Sequence, residues 1–167
     1  MLESHRITLE INLNQIIKNI QIMANRVAPA IVMPVLKANA YGLGAVPIGQ
    51  FISQQGFYLT GVADIGEALE LAPYFKEIHI LGDVFDNEIQ TIQENGWVCP
   101  LTSFARFKGW GKLLSKKSKK LKVQLYLDTG MGQLGVKPSD VFENWEVLKT
   151  LEGVELAGLY SHFTGGD

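Results

Sequence analysis

Val35-Leu-Lys-Ala-Asn-Ala-Tyr-Gly-Leu-Gly44 sets a lysine, Lys37, directly after the short apolar run 31–36 and ahead of two closely spaced glycines. A short apolar run bounded by turn residues is the pattern of a strand buried on both faces. An ammonium at the end of such a strand is costly to bury without a partner. Lys37 therefore either reaches out to solvent or works as a nucleophilic amine, the form that desolvation favours. The strand end alone leaves both readings open. In α/β folds, the carboxyl ends of parallel strands are where ligands bind.

Working outward, residues 7–13 alternate with period two and read as a strand. Ile16, Ile17, Ile20, Met23, Ala24 and Val27 then fall at helical spacing, with Asn12 or Asn14 as N-cap. Helical patterns recur near 44–55, 64–73, 86–95, 103–115 and 139–150. Apolar strand candidates lie between them at 57–63, 78–81, 96–101, 123–127 and 154–160. Counted with 31–36, these give six buried strands alternating with helices, which predicts a parallel α/β sheet. Both an open doubly wound sheet and a (β/α) barrel satisfy that pattern. The length of 167 residues favours the open sheet, because a closed eight-stranded barrel typically takes about 250.

Apolar residues make up 47% of the chain and charged residues 19%, a globular composition. Fifteen Lys and Arg against seventeen Asp and Glu leave a net charge of −2, so charge points to neither nucleic acid nor an acidic membrane. The segment from Arg106 to Lys122 departs from this balance, with eight basic residues and no acidic one. Leucines interrupt it and few aromatics interleave, so it reads as a solvated helix end. The single cysteine, Cys99, cannot form an internal disulfide. It reads as a small core residue in a reducing, cytoplasmic setting. No Cys/His cluster has metal-ligand spacing, and no apolar run is long enough to span a membrane. His5 and His79 have no evident partner. Asp128 reads as a residue that ends its strand or satisfies nearby backbone donors.

Lys37-Ala-Asn-Ala-Tyr-Gly-Leu-Gly44 resembles the pyridoxal-phosphate lysine motif of the alanine racemase family. Leu9–Ile16 is similar to that family's first strand and helix, and Gly61–Ala68 to its second strand–helix junction. Ile80-Leu-Gly82, Leu127–Gly135 and Gly158–Phe163 resemble later strand ends, in the same order. The likeness covers nearly the whole chain. It implies an incomplete TIM-type (β/α) barrel, with about six of the eight strands and without the β-rich domain that follows in the family. Residues 1–167 are then expected to be the N-terminal part of a pyridoxal-phosphate-binding barrel domain.

The resemblance implies a role for each site residue. Lys37 would hold pyridoxal 5'-phosphate as an aldimine and then exchange a proton with the substrate α-carbon. Tyr41 would donate its hydroxyl to the cofactor phosphate, Leu81 would form an apolar wall, and His162 would flank the ring. Gln133 stands where the family carries an arginine facing the cofactor; its amide can still donate, without the charge. Tyr126 stands where many members carry a carbamylated lysine that holds that arginine, so the two departures read as one coupled change. The implied activity is interconversion of L- and D-alanine for peptidoglycan, by a cytoplasmic homodimer. A racemase for serine, lysine or arginine, or a non-catalytic cofactor-binding remnant, are the alternatives. The opposite-face acid/base has no counterpart in this chain, so the 167 residues alone are expected to show little or no activity.

Overall fold

The computed structural model describes residues 7–116, 119–150 and 152–165. His5 and Lys117 lie outside the described residues. The first regular element is helix α1 (Leu13–Val27), opened by Asn12, whose Oδ1 accepts the Gln15 N–H at 3.0 Å. Residues 7–12 form no strand. The alternation in that segment has no neighbouring edge to pair with, and Ile7 and Leu9 stand 90% and 70% exposed.

The run 31–36 pairs with the rest of the sheet through a single parallel bridge, Val35 to Gly61. Gly61 N–H donates to Pro34 O at 3.0 Å and Leu36 N–H to Gly61 O at 2.8 Å. Pro34 has no N–H to offer, which limits the ladder to this edge contact. A one-turn element, α2 (Lys37–Tyr41), follows, and then helix α3 (Ala45–Gln54). Strand β1 (Leu59–Val62), helix α4 (Ile65–Leu71) and strand β2 (Glu77–Ile80) come next. A 3-10 turn (Asp86–Glu88) leads into α5 (Ile89–Asn95), β3 (Val98–Leu101) and α6 (Phe104–Trp110). Strand β4 (Leu121–Leu127), helices α7 (Pro138–Glu143) and α8 (Trp145–Thr150), and strand β5 (Val154–Ser161) complete the chain. The single helix expected near 139–150 is thus two, divided at Asn144, whose side-chain amide donates to Asp140 O at 2.8 Å.

The strands are ordered β1-β2-β3-β4-β5 and every pair is parallel. Sequential parallel neighbours, each reached through a crossover that carries a helix, are the wall of a (β/α) barrel; a doubly wound sheet would reverse its strand order. The sheet also curls. The Tyr160 hydroxyl on β5 donates to Leu81 O, just past β2, at 3.4 Å. On a flat sheet those strands would be about 14 Å apart, three strand spacings, beyond the reach of one side chain. His79 Nδ1 on β2 and Gln124 Oε1 on β4 likewise meet at 3.3 Å across the concave side. The expectation of an incomplete barrel, rather than the open sheet that length favoured, is met.

The core lies on the convex side, between sheet and helices. Val62, Ile78, Leu101, Leu121 and Val123 from the strands pack with Ile52, Leu71, Ile92 and Phe107 from the helices, all at most 1% exposed. Each such side chain contributes about 1.5–3 kcal/mol by leaving water. Cys99 belongs to this core, and burial pushes its thiol up to about 12. Buried Gln93, on α5, fixes the part of the basic segment that runs ahead of β4. Its amide donates to Ser115 O and Lys119 O at 3.1 and 2.9 Å, and its Oε1 accepts the Ser115 N–H at 2.9 Å. Replacing it by leucine leaves those backbone groups without their side-chain partner. Gln93→Leu is expected to cost about 2–3 kcal/mol, read as a lower urea midpoint with an unchanged slope.

Candidate active site

Parallel pairing puts every strand's carboxyl end on one face, and the segments that leave that face carry the five residues singled out in the sequence. Lys37 and Tyr41 follow the run 31–36, Leu81 follows β2, Gln133 lies in the loop after β4, and His162 follows β5.

Lys37 opens a turn of unusual hand. Ala38, Asn39 and Ala40 hold φ/ψ of 52/47, 53/48 and 52/47, and Tyr41 has φ 56. This is left-handed helix, which costs L-residues about 1–2 kcal/mol each. Hydrogen bonds hold it in place. Ala40 N–H donates to Leu36 O at 2.8 Å and Gly42 N–H to Ala38 O at 2.9 Å. Asn39, a residue type that tolerates this region, also accepts the Ala45 N–H on its Oδ1 at 2.7 Å and so opens α3. The turn is further tied to α4: Glu67 accepts the Ala38 N–H on Oε1 at 2.5 Å and the Ala63 N–H on Oε2 at 2.7 Å.

The reversed hand keeps Lys37 half-buried at the strand end and turns Tyr41 outward, 67% exposed. Lys37 Nζ sits 5.9 Å from the centre of the Tyr41 ring. No carboxylate among the described residues forms an ion pair with it. Leu81 packs onto Gly61, where an added Cβ would come within 2.9 Å of Leu81 Cδ1. A side chain at that point would push the end of the leucine aside.

The loop after β4 folds back on its own strand. Asp128 N–H donates to Val136 O at 3.0 Å and Val136 N–H to Tyr126 O at 2.8 Å. Gly135 makes this return possible, with φ 108 and no room for a Cβ, which would lie 2.8 Å from Asp128 N. Asp128 Oδ1 accepts the N–H groups of Gly130 and Gly132, each at 3.0 Å, and these bonds hold its carboxyl below the usual range. Thr129 joins the loop to the segment after β5: its hydroxyl pairs with Ser161 Oγ at 2.8 Å and donates to His162 O at 3.2 Å. Gln133 and His162 thus sit on connected segments, both exposed. Among the described residues no hydrogen bond or ion pair joins either side chain to Lys37.

Tyr126 is buried and stacks on Tyr160, with ring centres 4.5 Å apart and planes 17° from parallel. Burial is the main reason the Tyr160 hydroxyl titrates higher than a free phenol. His79, expected to lack a partner, has two: Gln124 on one ring nitrogen and Glu77 Oε1 at 2.7 Å on the other. Both partners come from tertiary proximity or from the same strand face, which sequence spacing alone did not single out. Sequence reasoning also gave no role to Glu67. Its spacing from Asp64 marks the start of α4, but nothing in the spacing shows its reach across 29 residues to Ala38.

Two outcomes follow. Ala38→Gly is expected to raise the unfolding free energy by about 0.5–1 kcal/mol, since relief of the left-handed strain exceeds the added chain entropy; chemical denaturation reads it. For Asp128, the folded carboxyl titrates below its unfolded value of 3.8, so its stabilisation is complete above that pH and fades as pH falls through the depressed value. The gap in thermal midpoint between wild type and Asp128→Asn should be constant near neutrality and close in acid.

The family described as "Alanine racemase, N-terminal domain" matches residues 11–167 of this chain. The alanine racemase of Helicobacter pylori (strain J99 / ATCC 700824) is 34% identical over 165 residues, which is 95% of this chain and 43% of that protein. Alanine racemase 2 of Caldanaerobacter subterraneus subsp. tengcongensis is 34% identical over 163 residues, 95% of this chain and 42% of that protein. Among solved structures, the alanine racemase from Bartonella henselae with covalently bound pyridoxal phosphate superposes with a TM-score of 0.83 at 30% identity. That match covers 93% of this chain and 46% of that one. The chain therefore spans less than half the length of these relatives. Motif order, parallel sheet and overall superposition agree, and the chain belongs to the alanine racemase family, to the part described as its N-terminal domain.

Proposed function

We propose that this chain is the cofactor-binding N-terminal part of an alanine racemase, interconverting L- and D-alanine on pyridoxal 5'-phosphate. The observation that supports this most is Lys37: a half-buried lysine without a carboxylate partner among the described residues, at the carboxyl face of the sheet and at the start of a left-handed turn. The groups carried on that same face suit the cofactor, since an amine can take up an aldehyde, a phenol can donate to a phosphate, and an amide and an imidazole can border a ring. When bound, pyridoxal phosphate draws electrons from the bond between the substrate α-carbon and its hydrogen.

The chain's own residues divide the remaining work. Lys37 holds the cofactor and exchanges a proton at the alanine α-carbon from one face. Tyr41, at the end of the left-handed turn, would donate its hydroxyl to the phosphate. Leu81, seated on Gly61, would keep one side of the ring dry. Gln133 would donate an uncharged amide N–H to the cofactor, and His162 would border its ring. The opposite face needs a second acid/base, which we assign to no residue of this chain. By the same reading the enzyme is a cytoplasmic homodimer supplying D-alanine to peptidoglycan, and residues 1–167 form the N-terminal part of its barrel.

The test is covalent mapping. The protein is incubated with pyridoxal phosphate, reduced with borohydride and digested. A label on Lys37, lost in Lys37→Ala while the circular dichroism spectrum is kept, is the expected result. A label on other lysines alone, or none, overturns the assignment.

A further inference from the structure

Glu67 receives two backbone N–H groups from different parts of the candidate site. Its Oε1 takes the N–H of Ala38, the residue after Lys37, and its Oε2 takes that of Ala63, at the end of β1. At a helix start with this Asp64-x-x-Glu67 spacing, the glutamate ordinarily reaches back to the N-cap's own N–H. Here Asp64 does cap α4, accepting the Glu67 N–H at 3.0 Å, but the Glu67 carboxylate goes one residue further back. That shift leaves its second oxygen for the turn that carries Lys37.

We infer that Glu67 is a positioning residue for Lys37, clamping the left-handed turn to the end of β1 so that the amine is held at one height above the sheet. The inference rests on the role proposed for Lys37. The turn needs such a clamp. Four consecutive L-residues at positive φ are strained, and the first of them, Ala38, gives its N–H to Glu67. A carboxylate accepting two N–H groups is a stronger tie than neutral acceptors would be. Both tied groups are backbone, so the clamp fixes the path of the chain and not a side-chain rotamer. Without it the strain can relax, and the relaxation begins at the residue bonded to Lys37.

The test compares Glu67→Ala, Glu67→Gln and Leu69→Gly in the full-length protein. Leu69 is exposed on α4, and a glycine there weakens the helix without touching the clamp. Two readouts are taken: the pyridoxal phosphate concentration that half-saturates labelling of Lys37, and amide hydrogen exchange at Ala38. Glu67→Ala is expected to raise the half-saturating concentration about tenfold and to speed Ala38 exchange by a similar factor. Glu67→Gln keeps one acceptor oxygen and should fall between, which also carries the test should the alanine variant fail to fold. Leu69→Gly should leave both readouts within about twofold of wild type. Unchanged labelling and exchange in the Glu67 variants overturn the inference, and so does an equal loss in Leu69→Gly, which marks a merely structural effect. Failure of the wild type to label at Lys37 strikes the proposed function instead, and Ala38 exchange then still decides whether Glu67 clamps the turn.

Discussion

Parallel strand pairing is the constraint from which the rest of this molecule follows. A parallel neighbour cannot be reached by a tight turn, so each strand is followed by a crossover, and the crossovers carry the helices that cover the convex face. The apolar core settles there, between β1–β5 and the helices, with Ile52, Leu71, Ile92 and Phe107 sealed at its centre. The concave face is left to groups of another kind: His79, Glu77, Gln124, Tyr126 and Tyr160 meet one another through hydrogen bonds and ring stacking. The same pairing turns every carboxyl end to one side, where chemistry can gather without disturbing the packing behind it.

At that side the chain departs from regular backbone twice, each time with compensation close by. The turn after Lys37 runs left-handed, held by Leu36 O, the Asn39 side chain and Glu67. The loop after β4 doubles back through Gly135 and is fastened by Asp128. Strained or irregular backbone of this kind persists only where the surroundings over-determine it. In both places the fastening groups are acceptors for backbone N–H, which suits a face where the ladder has ended and donors are left over.

Much of the fold was legible in the sequence because its signals are local. The apolar runs at 57–63, 78–81, 96–101, 123–127 and 154–160 each became a strand, with ends moved by one or two residues. The alternation at 7–13 misled, since period two describes a strand only where an edge exists to receive it. The run at 31–36 shrank to one bridge through the missing N–H of Pro34. Curling into a barrel wall, as opposed to a doubly wound sheet, could not be read from strand count. Curvature shows itself only through contacts between strands that are not neighbours. Lys37, Tyr41, Leu81, Gln133 and His162, singled out through the family resemblance, lie on segments that leave the carboxyl face of the sheet. Glu67 and the partners of His79 escaped notice because they act across tertiary distance, and a carboxylate in a sequence does not announce which amide it will meet.

The bond from Tyr160 to Leu81 O spans the hollow of the half-cylinder. A phenol has a fixed length, so this side chain works as a spacer bar between opposite staves and sets how tightly the wall is rolled at that height. The separation of these two strands near their carboxyl ends is therefore held from inside the curve, by a side chain and not by the backbone ladder. Exchanging that bar for a longer or shorter one would change how tightly the sheet rolls while its strand order stayed the same.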